Sequence, residues 1–433
     1  MSQEFEYVIP PWEAEAIIKY LSVSNLEEIG TKPWFEFHKK LMHLNQQSIL
    51  EITHMREETI KEWFVTFQKI PVLIYEAIQI SVWKLKIFPR LDNGQEPSNT
   101  FMLYSVFYHE TIAVSLMENI LYHCDSVESL DDSALDLIDY AVDYITGIIF
   151  DKDPDDGDKT EQDESCLGEL LKKKKEIEFD IGMKCISIIG YLSSFTDSLP
   201  LSTLKRLLST HDVPYLFAQL IELHPWEKKI DGVQMIYSSS WEKVKAGEED
   251  KICKVEGQVW FGLRELLLNP KSASYYQVTE FRMSALTKLQ KYLHEKVLDQ
   301  IAPLIDLRRW LSCLNISSQI PEPKPGICVE IIPQIRSSIV DKYRKQWKKI
   351  ARQQSEYFFN KNTEYVQNMA VILSEAYDLD KIVIDDYKCV VCNDIATKRC
   401  SKCKSIWYCG RECQVKDWTN HKNICEKILK ARD

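Results

Sequence analysis

The stretch that decides how this chain is read is CVVCNDIATKRCSKCKSIWYCGRECQVKDWTNHKNIC, Cys389 to Cys425. Its candidate ligands are Cys389, Cys392, Cys400, Cys403, Cys409, Cys413, His421 and Cys425, spaced C-x2-C-x7-C-x2-C-x5-C-x3-C-x7-H-x3-C. Zinc takes four thiolate or imidazole ligands in a tetrahedron. Eight such groups in 37 residues therefore supply two tetrahedra. Each C-x2-C pair is a knuckle whose two sulfurs can face one ion. C-x3-C and H-x3-C are i, i+4 pairs, which share one face of a helical turn. Spacing alone leaves open how the eight divide between the ions. A disulfide framework is the competing account of so many cysteines, but nothing in the chain points to secretion. So short a segment has too little apolar core to fold unaided, so metal binding is expected to supply its folding free energy.

Outward from this stretch, 433 residues exceed one ordinary domain, and 45% hydrophobic content is ample for a packed core. Only 13 glycines argue against a turn-rich all-β fold. The net charge is −11, yet residues 381–433 hold 12 Lys/Arg against 7 Asp/Glu, which leaves −16 on the remainder. An acidic body of this kind suits neither nucleic acid nor an anionic membrane. The N-terminal Met1-Ser-Gln-Glu-Phe-Glu-Tyr7 has no basic start followed by an apolar run, and no run of about 18 apolar residues spans a bilayer. Six further cysteines, Cys124, Cys166, Cys185, Cys253, Cys313 and Cys328, form no ligand pair and read as reduced, buried thiols in a cytosolic protein.

Nearly everything before Asp385 has helical periodicity. Ile60, Trp63, Phe64 and Phe67 form one stripe, and Leu73, Ile80 and Trp83 mark the next helix after Pro71. Helices are expected over Phe101–His123, Ser133–Phe150, Leu167–Phe195, Leu201–Leu208 and Val213–Leu223, the last opened by Asp212 and Pro214. Val259, Leu263 and Leu266 mark another, stopped at Asn269-Pro270, and Leu286 to Val297 the next. Pro321-Glu-Pro-Lys-Pro-Gly326 reads as a stiff connector. One long amphipathic helix is expected from Glu330 to Phe359, with Ile335, Ile339, Tyr343, Trp347 and Ile350 on one side, then a last one over Glu364–Tyr377. The expectation is an all-α, armadillo- or HEAT-like helical body with a small C-terminal two-zinc finger. It divides into an N-terminal helical region at 1–150, an acidic mobile loop at 151–165, a helical region at 166–380 that continues the scaffold, and the finger at 386–428.

The acidic run Asp151–Glu164 invites a calcium-loop reading, which needs glycine at position six and glutamate at twelve. Counted from Asp151 those places hold Asp156 and Gln162; counted from Asp153 they hold Asp158 and Glu164. Neither frame fits, so the run reads as a solvated loop. The histidines outside the finger have no motif neighbours, and neither a Gly-rich phosphate loop nor a G-x-S-x-G elbow occurs.

The ligand ladder resembles the MYND-type zinc finger at every ligand position. The resemblance implies interleaved ligation: Cys389, Cys392, Cys409 and Cys413 on one zinc, Cys400, Cys403, His421 and Cys425 on the other. It also implies a peptide groove lined by Gln414, directly after the sixth ligand, and Trp418. Lys398, Arg399, Lys402, Lys404, Arg411, Lys416 and Lys422 surround the ligands and make the tip basic. Some SET-type methyltransferases carry such a finger, but their Asn-His motif has no counterpart here except Asn420-His421, inside the finger itself. RING-type ubiquitin ligases close on C-x2-C, whereas this stretch closes on H-x3-C. A MYND-type transcriptional corepressor is the remaining alternative.

The rest of the chain resembles a family of cytoplasmic assembly factors for axonemal dynein arms. The blocks that carry it are Leu135-Asp-Leu-Ile-Asp-Tyr140, the run Leu199 to His211, Gly257-Gln-Val-Trp260, and Arg411 to Lys416 with Asp417-Trp418. The resemblance implies a non-enzymatic, co-chaperone-like adaptor in the cytoplasm of ciliated cells, at centriolar satellites or apically. The implied partners are a leucine-rich-repeat protein with a CS domain, chaperones and dynein chains, with no nucleic acid and no membrane.

Overall fold

Proline placement sets the first boundaries. The leading helices are α1 (Pro11–Lys19), α2 (Lys32–Thr53), α3 (Thr59–Thr66) and α4 (Ile70–Lys86). All but α3 open with proline in the first turn, where its missing N–H leaves no bond unmade. Next come α5 (Phe101–Ile120), α6 (Cys124–Glu128), α7 (Ser133–Phe150) and α8 (Cys166–Ser194). Then follow α9 (Leu201–Lys205), which runs into a π turn over Arg206–Thr210, and α10 (Val213–Leu223). Beyond a small sheet lie α11 (Lys254–Leu268), α12 (Pro270–Ala273), α13 (Glu280–Lys288), α14 (Glu295–Gln300) and α15 (Leu304–Leu314). The last helices of this unit are α16 (Ile335–Tyr343), α17 (Trp347–Phe358) and α18 (Thr363–Ala376).

The computed structural model describes residues 7–91, 100–150, 166–230, 232–245, 247–248, 250–273, 275–314, 331–359, 363–377, 389–392, 398–400 and 407–430. The acidic run 151–165, the Pro321–Gly326 connector, Cys328, Lys402, Cys403 and Lys404 lie outside these residues. The chain divides into two compact units, Met1–Tyr377 and Asp378–Asp433.

In the larger unit the helices stack as pairs: α4 on α5, α7 on α8, α10 on α11, α13 on α15. Successive pairs then pack through α5, α8 and α11 on one layer and through α4, α7, α10 and α13 on the other. This is the stacked-pair, armadillo- or HEAT-like architecture that the periodicity predicts, and α2 extends the first layer beyond α5. One apolar core runs through all of it, with Trp34, Trp83, Phe107, Phe217 and Trp260 fully enclosed. The chain then turns back on itself. α16 packs on α4 and α18 on α2. Gln354 on α17 accepts from Trp83 Nε1 at 2.7 Å and donates to the Leu26 carbonyl at 2.7 Å. Gln46 donates to the carbonyl of Ala376 at 3.1 Å, satisfying one of the open carbonyls at the end of α18.

Four expectations change. The helix expected over Leu286 to Val297 is not continuous: α13 ends at Lys288, a tight turn follows at Leu289–Lys291, and α14 starts at Glu295. The segment after α10 is not helical: β1 (Glu227–Ile230), β2 (Val233–Tyr237) and β3 (Trp241–Lys243) form an antiparallel meander in the order β1-β2-β3. Its inner anchor is Tyr237, buried and donating to Asp180 at 2.8 Å. The single helix expected from Glu330 to Phe359 is two, α16 and α17, broken at Arg344–Gln346 without proline or glycine. The further cysteines are not uniformly buried: Cys185 is, but Cys124 and Cys253 are half-buried and Cys166 and Cys313 exposed. Asp212 does sit at the start of α10, but its carboxylate does not cap the helix. It accepts instead from Tyr276 at 2.8 Å and Arg282 at 2.6 Å, tying α10 to α13.

Two polar networks are sealed in the core. Lys84 Nζ lies 2.7 Å from Glu110 Oε2, and Tyr140 and Tyr144 donate to Glu110 Oε1 at 2.7 and 2.6 Å. This joins α4, α5 and α7, and Glu178 of α8 completes the set at 3.1 Å from Lys84. In the second network His38 Nδ1 meets His109 Nδ1 at 3.0 Å, so one ring donates and the other accepts. His109 also faces Glu76 Oε2 at 3.3 Å, and His38 Nε2 faces Tyr377 Oη at 3.2 Å. Burial, with His109 beside it, holds the His38 pKa well below its ordinary value, so His38 enters this link as a neutral ring.

Candidate metal centre

Among the described residues the smaller unit has two very short strands, β4 (Lys398–Arg399) and β5 (Trp407–Tyr408), and one helix, α19 (Arg411–Lys430). β4 and β5 pair antiparallel, Lys398 opposite Tyr408 and Arg399 opposite Trp407. The Val390 N–H donates to the Trp407 carbonyl at 3.2 Å, bringing the first knuckle alongside β5. Among the described residues its buried apolar cluster is Cys389, Cys400, Tyr408 and Cys425, with Val391, Trp407, Cys409 and Cys413 packed against it. The described part of this core is small, and the cysteines within it point to a further source of stability.

Sulfur geometry supplies the answer. The Sγ atoms of Cys389, Cys392, Cys409 and Cys413 all lie within 4.8 Å of one another. Within that group Cys392–Cys409 is 3.3 Å, Cys409–Cys413 3.5 Å and Cys392–Cys413 3.8 Å. Four sulfurs about 2.3 Å from a central zinc stand roughly 3.8 Å apart along each tetrahedral edge. A second group collects Cys400, His421 and Cys425, all buried, with the Cys400 and Cys425 sulfurs 4.0 Å apart. The first and third ligand pairs of the ladder thus converge, and Cys400 of the second converges with the last pair. Cys403, expected as the fourth member of the second group, lies outside the described residues.

α19 carries ligands for both groups. Cys413 in its first turn faces one, and His421 and Cys425, one helical turn apart, face the other. Tyr408 is fully buried, packs edge-on to His421 and donates to Asp417 Oδ2 at 2.8 Å. The strand that follows the second knuckle is thereby pinned to the helix between the two groups. Burial raises the Cys389 thiol pKa, but N–H groups of Cys409, Cys392 and Val391 outweigh it and bring the thiol to about 6. A thiol of that acidity is thiolate at neutral pH, the form zinc binds. The donor set, the spacing and the closure by protein ligands all fit zinc, and the finger is a zinc finger with two metal sites.

Gln414 is half-buried and Trp418 exposed on α19, one turn apart. Lys398, Arg411, Lys416 and Lys422 are exposed, the last three on the same helix. Trp407 is half-buried and Tyr408 enclosed, so both contribute to the small core.

Residues 389–425 match the family model described as MYND finger. Zinc finger MYND domain-containing protein 10 homolog from Drosophila melanogaster is 34% identical over 449 residues, covering 97% of this chain and 99% of the relative. Shorter matches include ubiquitin carboxyl-terminal hydrolase 19 from Arabidopsis thaliana, 46% identical over 11% of this chain and 7% of the relative. Tudor domain-containing protein 1 from Mus musculus is 40% identical over 10% of this chain and 4% of the relative. No solved structure matches.

Proposed function

The chain belongs to the family of zinc finger MYND domain-containing protein 10, and we propose that it is a non-enzymatic adaptor in the cytoplasmic pre-assembly of axonemal dynein arms. A MYND finger is a protein-interaction module. The observation that carries the adaptor reading is the closure of the first metal group by four cysteines. A zinc whose four positions are all filled by protein has no place for water or substrate, so its work is structural. The finger then presents a rigid surface on α19, where Gln414 and Trp418 stand side by side with exposed lysines on the same helix. An aromatic on a metal-stapled helix that also carries cations suits an extended peptide from another protein.

In this reading Cys389, Cys392, Cys409 and Cys413 ligate one zinc, and Cys400, Cys403, His421 and Cys425 the other. The stacked helices are the mount. The partners are a leucine-rich-repeat CS-domain assembly factor at the finger, with chaperones and dynein chains as the wider assembly. The site of action is the cytoplasm of ciliated cells. Affinity capture from such cells, with the intact chain and with Cys400→Ala, tests this. Loss of the leucine-rich-repeat partner from the variant alone is the expected result. An unchanged set of partners, or turnover of a methyl donor or of ubiquitin-charged enzyme by the intact chain, would overturn it.

A further inference from the structure

The larger unit carries a second surface unlike its surroundings. Residues 342–352, KYRKQWKKIAR, hold six Lys/Arg and no carboxylate, in a chain of net charge −11. They form the elbow where α16 ends and α17 begins. Arg344, Lys345, Lys348, Lys349 and Arg352 are all exposed. Among the described residues no carboxylate stands within ion-pair distance of any of the five, whereas Lys84, Lys184, Arg206, Arg282 and Arg336 of the same unit are paired. Lys342 differs: it lies 4.9 Å over the Tyr343 ring and in the field of Glu27.

Three of the five lie on α17 and two in the break before it. Lys348 and Arg352 are one turn apart on α17, with Lys349 beside them and Lys345 just across the break. The opposite side is committed to the core, through Ile339, Tyr343, Ile350, Ala351 and Phe358. The elbow is further anchored by Gln354 to Trp83 and by Ser355 to the Leu91 carbonyl. The cations therefore stand on a rigid base.

Asp341 and Glu356 flank the run, Glu356 one turn beyond Arg352 on α17, but five cations against two carboxylates leave an excess of like charge, and an opposite charge relieves that repulsion. We propose that this elbow is a docking surface for an acidic, extended polypeptide segment of a partner protein, separate from the finger. A bilayer fits poorly, because the apolar face of an interfacial helix must be free to enter the lipid and here it is buried. Nucleic acid fits poorly too, because the surrounding acidic body repels a polyanion whose charge extends past the elbow, whereas a short acidic segment ends within it. The surface does not rest on the finger reading and would stand if the finger bound nothing.

The test is fluorescence anisotropy of a labelled oligoglutamate peptide with the full chain at about 0.15 M salt. The variants are Lys345→Glu/Lys348→Glu/Lys349→Glu/Arg352→Glu, the milder Lys348→Gln/Arg352→Gln, and Cys400→Ala. The fourfold reversal is expected to weaken binding by about tenfold or more, the double neutralisation by less, and Cys400→Ala not at all. Unchanged melting temperature and zinc content of the milder variant keep the comparison valid if the reversal unfolds. Absence of binding, equal binding by the milder variant, or tighter binding of a single-stranded oligonucleotide or anionic vesicles than of the peptide would overturn the proposal.

Discussion

Replacing Lys84 by methionine should damage the larger unit far more than its size suggests. The side chains of Lys84 and Glu110 are 4% and 0% exposed, and their charged atoms stand 2.7 Å apart. Methionine fills the lysine stem but leaves the Glu110 carboxylate enclosed with only the two tyrosine hydroxyls, both on Oε1. Removing one partner of a buried pair costs about 3–5 kcal/mol, because the other charge is stranded. For the 377 residues of this unit, an unfolding entropy of about 2.1 cal/mol/K per residue converts that loss into a fall in Tm of roughly 4–6 °C. Glu110→Gln should cost less, about 1–3 kcal/mol, since Lys84 keeps Glu178, which is 31% exposed, as a counter-charge. Burial works against the lysine's charge, but Glu110 and Glu178 outweigh it and hold its pKa above the ordinary value. With both carboxylates ionised, the contribution of Lys84 is therefore fully present from neutral pH up to about 10.5 and is lost as pH rises beyond it. Thermal denaturation followed by circular dichroism at pH 7 measures both variants. A Lys84→Met protein melting within about 1 °C of the parent would refute the reasoning.

Three further outcomes follow from the same geometry. Burial pushes Glu256 from its ordinary 4.5 up to about 7, although Trp260 Nε1 donates to it at 3.2 Å. A carboxyl raised on folding favours its protonated form, so stability falls as pH climbs from 4.5 through 7. Glu256→Gln should add about 1–2 kcal/mol at pH 7.5, allowing for partial exposure, and flatten the dependence of urea midpoints on pH across that window. Gly30 sits at φ +94° with an added Cβ 2.8 Å from the buried Phe358 ring. Gly30→Ala should therefore cost about 1–3 kcal/mol in the same urea assay. Chelation should remove hydrogen-exchange protection from residues 389–425 while leaving α2, α5, α8 and α11 protected.

How far the residues alone announce this structure varies with the kind of signal. α7 and α8 fall within a residue of the periodicity, because Leu135, Ile138, Val142 and Ile145, and then Ile177, Ile181, Cys185 and Ile188, repeat at helical spacing and are all buried. The metal groups are legible for a different reason: ligand chemistry restricts the residue types, and their convergence needs only short-range geometry. The meander at 227–243 escapes because it is half-exposed and short, with no alternation strong enough to read. The break between α16 and α17 has no local marker, since Arg344, Lys345 and Gln346 are all good helix formers. Tertiary packing bends the chain there, with Tyr343 and Ile350 both directed inward. The His38–His109 link and the return of α18 onto α2 join residues far apart in sequence, which periodicity does not register.

The central claim is that metal, rather than apolar burial, holds the C-terminal unit in shape. Native mass spectrometry of the reduced, full-length chain measures it most directly. Two zinc ions per chain, released together with the ordered state of residues 389–425, is the predicted result. A folded finger carrying one ion or none would contradict it.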